Sequence, residues 1–308
     1  MVQNSLVKKE EKKTFTAYLA QDAIKNKINE MVGRAKGQQF ITAITSAVSA
    51  NPELAKCDNA SIVSAALLGQ ALDLSPSPQL GQFYLVPYNK KDKEGNIIST
   101  TAQFQLGYKG YIQLAIRSGQ YKKINVLAIK EGELIKYDPL TEELEVNLIE
   151  DEEEREKAKT IGYYAMFEYM NGFKKALYWT KKKMLVHADK YSQAFSLKAT
   201  TGKYPKVSYE DFEAGKVLEK DMWKYSSYWY KDFDGMAYKT MLRQLIGKWG
   251  IMSIVMEKAY QSDMAEITES QTPDYIDNVD YSIDNKEIEN IEIEHTVEND
   301  NKEFDFFE

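Results

Sequence analysis

Apolar positions along this chain change their spacing more than once, and each change marks a change of element. From Thr14 to Val32 and from Gln38 to Ala50 they recur every three or four residues, which predicts two amphipathic helices. Asn51-Pro52 ends the second, because the residue before a proline is pushed out of the α region. A third helix starts at Asn59 or Ser61 and carries Ile62, Ala65, Ala66, Leu68 and Leu72 at the same spacing, until Ser75-Pro76-Ser77-Pro78 stops it.

The period then falls to two. Gln82 to Pro87 and Thr100 to Leu106 read as strands joined through the turn-rich Lys91 to Asn96, a hairpin. A helix follows from Tyr108 to Ser118, closed by Gly119, and Lys122 to Lys130 returns to strand with Ile124, Val126 and Ala128 alternating. Thr160 to Met170 and Phe173 to Thr180 flank Asn171-Gly172, which predicts a type I′ turn with positive φ at both central residues. Trp179 to Asp189 is helical again, a loop rich in Gly, Lys and Tyr runs to about Lys224, and one long helix spans roughly Ser227 to Trp249. The sum is an α+β fold, an antiparallel β-sheet and hairpins packed with helices. Its body covers residues 1–262, with N-terminal helices over about 14–72 and the sheet with its helices over about 80–260. From residue 263 to 308 the periodicity is lost and an acidic, disordered tail is expected.

Composition changes this picture in one respect, the sign of the body. The net charge of −7 taken alone argues against a nucleic-acid partner. Yet from Asp263 onward there are sixteen Asp and Glu against two Lys, which leaves 38 basic and 31 acidic residues before it. A second acidic stretch, Glu142 to Glu156, falls in an expected loop and hides further positive charge elsewhere. The body is basic and the tail opposes it. Cys57 is the sole cysteine, so no intrachain disulfide forms, and a reducing, cytoplasmic setting is expected. Met1 to Lys13 is polar without an apolar signal core, and no apolar run is long enough to cross a bilayer.

Few residues offer covalent or metal chemistry. His187 and His295 are the only histidines, without a second His or Cys at ligand spacing, so neither a metal nor a catalytic role is expected. Asp232 and Asp234 resemble a two-carboxylate magnesium motif, but two residues apart on a helix they point about 200° away from each other. No Gly-x-x-x-x-Gly-Lys-Ser/Thr loop is present, so nucleotide hydrolysis is disfavoured and no ATP or other cofactor is expected.

Cations arranged on helix faces carry the signal. Lys109, Gln113 and Arg117 are spaced by four and form a polar stripe, with Ile112, Ala115 and Ile116 expected to face inward. Lys239 and Arg243 are also four apart, with Phe233, Met241 and Leu245 opposite them. Such ridges are commonly plain solvated faces. Tyr108, Tyr111, Tyr228 and Trp229 stand near these cations, however, and aromatics beside Lys or Arg build single-strand sites. Lys181, Lys182 and Lys183 begin another helix against its dipole, a weak pointer to an external anion, and Lys248 adds a cation farther along the long helix.

At Ala65 to Leu85 (AALLGQALDLSPSPQLGQFYL), Gln105 to Gln120 (QLGYKGYIQLAIRSGQ), Lys130 to Glu133 and Tyr228 to Gly250 (containing MAYKTMLRQLIGKWG) the chain resembles the RecT family of phage and prophage single-strand annealing proteins, over about Phe40 to Ser253. The resemblance implies an annealing-protein (RecT/Redβ-like) core and DNA recombination without ATP. It also implies rings or helical filaments of the protein on single strands, a bacterial cytoplasm, and a phage exonuclease and host single-strand binding protein as partners. By motif position, Lys109, Arg117, Lys239 and Arg243 are the first DNA contacts implied. With them the candidate interface comprises Tyr108, Gln113, Lys181, Lys182, Trp229 and Lys248.

Two other readings stay open. One is a protective single-strand or RNA binder that does not anneal and stacks bases on Tyr108, Tyr111 and Trp229. The other is a metal-dependent nuclease using Asp232 and Asp234. For the tail, a solvating extension competes with two sharper ideas: that it rivals DNA for the basic groove, or that it presents Phe304, Phe306 and Phe307 to a partner.

Overall fold

Helices open the fold, and the breaks between them differ from the pattern in instructive places. The computed structural model describes residues 13–91, 96–192, 194–202, 204–263, 265–267 and 273–275. The helix expected over Thr14 to Val32 is two helices, α1 (Phe15–Leu19) and α2 (Asp22–Val32), parted where Gln21 is extended at φ −67° and ψ 131°. The break lets Phe15 and Leu19 reach the same core as Ile28. Helix α3 (Arg34–Ala50) starts four residues before the expected Gln38, because Gly33 turns the chain, and it ends at Ala50 as Asn51-Pro52 predicts. A 3₁₀ turn (Pro52–Lys56) leads to α4 (Asn59–Ala71), whose N-cap Asp58 accepts the Ser61 N–H at 2.8 Å.

The hairpin of β1 (Phe83–Lys91) and β2 (Ile97–Leu106) sets Phe83 opposite Leu106 and Leu85 opposite Phe104. Helix α4 packs on β2. After α5 (Tyr108–Arg117) comes an antiparallel three-stranded sheet in the order β3 (Tyr121–Lys130), β6 (Thr160–Tyr169), β7 (Lys174–Thr180). Between β3 and β6 lies a second hairpin, β4 (Leu134–Asp138) with β5 (Glu143–Val146), followed by the helix α6 (Glu152–Lys157), so the acidic stretch expected as a loop holds a strand and a helix.

The β6–β7 turn also differs from its expectation. Gly172 has φ +87°, but Asn171 does not share the left-handed region, so the turn is not type I′. The Tyr169 N–H donates to Phe173 O at 2.8 Å, enclosing three residues, Met170 to Gly172, and the Gly172 N–H donates to Tyr169 O at 3.0 Å. A left-handed glycine in the last place suits that longer form.

Helices α7 (Lys181–Tyr191) and α8 (Tyr209–Glu213) and a 3₁₀ segment (Glu219–Tyr225) occupy the next stretch, parts of it expected as loop. The long helix is split into α9 (Tyr228–Lys231) and α10 (Phe233–Trp249) at Asp232, whose φ of −147° interrupts it and whose carboxylate caps the Gly235 N–H at 3.0 Å. Helix α10 packs on all three strands of the sheet and on α5, so it is covered on more than one side. Its buried set is Ala237, Met241, Leu242, Leu245 and Ile246, facing Tyr163, Ala165 and Phe167 of β6 within one core.

Helix α11 (Ile254–Ser262) leads into a short antiparallel pair, β8 (Ala265–Ile267) with β9 (Pro273–Tyr275). The described residues fall in one compact unit. Residues 276–308, with most of the expected tail and its Phe304, Phe306 and Phe307, lie outside the described residues. Among the described residues no helix is long and apolar enough to cross a membrane.

Candidate nucleic-acid interface

The start of α5 is seated on the turn before β1 by two glycines. A Cβ on Gly107 would collide with Gly81 O, and one on Gly110 with Gln82 O. Only hydrogen at both positions lets the first helical turn rest against that backbone, where the Gly107 N–H donates to Gln82 O at 2.9 Å. Seated so, α5 turns Lys109 and Gln113 to solvent, while Tyr111, Leu114 and Ala115 are buried. Ile116, expected inward, is 56% exposed. The stem of Lys109 passes Gly81 beside Tyr84.

Next to Lys109 is a pocket of about 40 Å³ walled by Tyr84, Tyr108 and Tyr228, with Asp232 and Lys239 also on its lining. Tyr84 and Tyr228 pack ring to ring at 5.9 Å, and Tyr108 meets Tyr238 edge-on at 5.5 Å. Among the described residues Lys109 and Lys182 are exposed and make no ion pair.

Lys239 and Arg243 do not stand on a solvent-facing ridge. Their Nζ and Nη1 atoms reach Asp263 Oδ1 and Oδ2 at 2.9 and 3.0 Å, and Asp263 has no exposed surface. The same carboxylate accepts the Leu106 N–H at 2.8 Å and the Tyr111 hydroxyl at 3.0 Å. The Arg243 guanidinium also donates to Tyr111 Oη and Tyr260 O, and lies 4.2 Å from the Tyr260 ring centroid. Burial alone would lower the Arg243 pKa, but Tyr111 and Asp263 beside it hold it above its ordinary value. Burial and Asp263 together push the Tyr111 phenol well up, so it remains a neutral donor. The physical reason for the correction is the packing of α10. An amphipathic reading allows one buried face, whereas this helix is covered by the sheet and by α5, and the cations find a carboxylate inside.

Arg117 also has a partner. Its Nη1 donates to Asp73 O at 3.1 Å and lies 3.4 Å from Asp73 Oδ2, at the C-terminal end of α4. Asp73 has φ +52°, and cationic charge is favourable where helix carbonyls point outward. Of the aromatic candidates, Tyr108 is half-buried at the pocket, while Trp229 is core, packed on Phe233 at 5.2 Å. The Lys181 to Lys183 cluster is explained locally in part. Lys181 pairs with Glu213 at 2.5 Å, and Lys183 Nζ lies 4.4 Å from the Trp179 ring centroid. Lys248 is partly buried, 5.8 Å from the Trp249 centroid. Tyr108 and Lys239 therefore line one pocket; Lys109 lies beside it, its Nζ 5.9 Å from the Tyr108 ring centroid, and Lys109, Arg117, Lys181, Lys182, Arg243 and Lys248 are not among its lining.

The carboxylates of the magnesium motif are engaged separately. Asp232 caps α10, and Asp234 accepts the Tyr163 hydroxyl at 2.6 Å. Among the described residues no group of His, Cys, Asp or Glu is arranged to hold a metal. His187 packs between Trp179 and Tyr191 at 5.4 and 4.6 Å.

Three residues escaped the sequence reading. Asp263 was grouped with the tail by composition, and no local pattern separates it from the acids that follow. Tyr84 lies inside the Ala65 to Leu85 stretch but reads as an ordinary strand residue. Glu133 gives the Lys130 to Glu133 match its meaning: wholly buried, it accepts the Lys130 and Ile149 N–H groups and the Arg155 guanidinium, and so ties down the root of the β4–β5 hairpin.

Comparison with known sequences bears on the same regions. The sequence profile of the RecT family matches residues 38–276. The chain is 38% identical over 264 residues to the uncharacterized protein YqaK of Bacillus subtilis (strain 168), covering 86% of this chain and 75% of that protein. It is 30% identical over 158 residues to the protein RecT of Escherichia coli (strain K12), covering 51% of this chain and 56% of that protein.

Proposed function

The chain belongs to the RecT family, and on that premise we propose that it holds single-stranded DNA by its sugar-phosphate backbone and pairs it with a complementary strand without ATP. Membership alone carries the coarser statement, a single-strand annealing function in recombination. Annealing requires the Watson–Crick edges to stay free while the phosphates of both strands are neutralised. A protein doing this gains affinity from counterion release and is indifferent to sequence.

The observation that supports this reading is the exposed Lys109, unpaired among the described residues, beside a pocket walled by Tyr84, Tyr108 and Tyr228. A cation at the edge can take a phosphate while a tyrosine supports the sugar or a base without reading it. Lys109→Ala is expected to make the plot of log affinity against log salt shallower by about 0.7, one single-strand phosphate contact per protomer. A slope equal to that of the unmodified protein, in a variant with unchanged oligomeric mass, contradicts the role of Lys109. Annealing is expected to proceed at the same rate after enzymatic removal of all nucleotide.

The non-annealing reading loses support, because two of its three stacking platforms, Tyr111 and Trp229, are buried. Homo-oligomers on the strand, a phage exonuclease and a host single-strand binding protein belong to the same proposal as partners. No covalent step is part of it.

A further inference from the structure

Two cations, a phenol and a backbone N–H converge on one carboxylate at the meeting of β2, α5, α10 and α11. Lys239 Nζ, Arg243 Nη1, Tyr111 Oη and Leu106 N surround Asp263 at 2.8–3.0 Å, and both cationic side chains are nine-tenths or so enclosed, at 6% and 11% exposure. This is how a protein holds a tetrahedral oxyanion: charge-assisted donors from several directions, preorganised and desolvated. Two positive charges thus share the Asp263 carboxylate. It also borders the open pocket, since Leu106 and Lys239 line that pocket as well as bind Asp263.

We propose that this cradle is a phosphodiester subsite occupied, in the free protein, by the chain's own Asp263 carboxylate. The inference rests on the reading of the chain as a single-strand binder. A DNA phosphate entering beside Lys109 reaches Lys239 first. It matches the carboxylate in charge and in acceptor oxygens, so it can replace Asp263 without leaving either cation bare. Exchange then frees the root of the acidic segment that starts at Asp263. Among the described residues, Tyr111, Tyr260, Lys239, Arg243 and Asp263 face the cradle, and Asp232 is an opposing charge on the pocket lining.

Asp263→Asn keeps the shape and removes the resident charge. In the full chain it is expected to raise affinity for an oligothymidine at fixed salt by roughly tenfold, the equivalent of one added phosphate contact. The salt dependence should steepen by about 0.7, one single-strand phosphate contact. A folded variant with unchanged or weaker binding overturns the proposal. Should the variant fail to fold, hydrogen exchange in the unmodified protein decides: faster exchange over residues 263–267 on adding oligothymidine supports displacement, and unchanged or slower exchange overturns it. Inorganic phosphate separates this inference from the wider reading. Stabilisation of the Asn variant by phosphate, with no effect on the unmodified protein, supports the cradle even if single strands do not bind. Absence of that stabilisation overturns the cradle while the annealing reading stands on its own tests.

Discussion

Glu133 shows how one residue can carry a motif without touching a ligand. Burial pushes its carboxyl up, but the Arg155 guanidinium and the N–H groups of Lys130 and Ile149 outweigh that, and its pKa lies below the ordinary 4.5. Because the folded value is depressed, its stabilisation is present above about pH 4.5 and is lost as pH falls through the lower folded value. Glu133→Gln is therefore expected to cost about 2 kcal/mol at pH 7, the range for hydrogen bonds to a charged group. The deficit should shrink at pH 3, as read from urea midpoints at the two pH values. An equal deficit at both would place the loss in packing rather than charge. Lys239 and Arg243 make the complementary point. Spacing identified them as a pair on one helix face, but spacing does not say what covers that face. The residue that does, Asp263, stands at the head of sixteen acids and looks like the rest of them.

At the scale of elements, legibility followed local chemistry. Asn51-Pro52, the two strands before Gly107, and Gly119 after α5 each act through backbone preferences that a short window contains, and each falls where expected. The splits at Gln21 and Asp232 depend on where neighbouring helices must send their buried faces, which no window holds. Glycine at 107 is an element-scale requirement, since it sets the distance between α5 and the turn before β1. Gly107→Ala is expected to cost about 1–3 kcal/mol through overpacking. It should also weaken single-strand binding by moving Lys109; wild-type melting temperature and affinity together would refute the close seating. The C-terminal end of the body gives a sharper contrast. Truncation after Tyr260 removes the buried carboxylate shared by Lys239 and Arg243, at a cost of about 3–5 kcal/mol. Truncation after Asp277 retains it and should melt like the full chain. Equal melting of the two truncations would deny Asp263 a role in stability.

For the molecule as a whole, the division between a basic body and an acidic end was readable from charge alone, because net charge and its distribution need no fold. The α+β class was readable from the spacing of apolar positions, and the family match spans residues 38–276. The placement of the candidate contacts was not readable: of the four cations, Lys109 alone is solvent-facing without a carboxylate partner among the described residues. Binding of single strands would be shared by an annealing protein and a protective one, so the account depends on what happens when the complement arrives. The direct measurement mixes two complementary labelled oligonucleotides, one already coated with the protein, in nucleotide-free buffer, and follows pairing by energy transfer. The account predicts duplex formation faster than between bare strands at the same concentrations, whereas coated strands that stay apart, or that pair only when ATP is supplied, would contradict it.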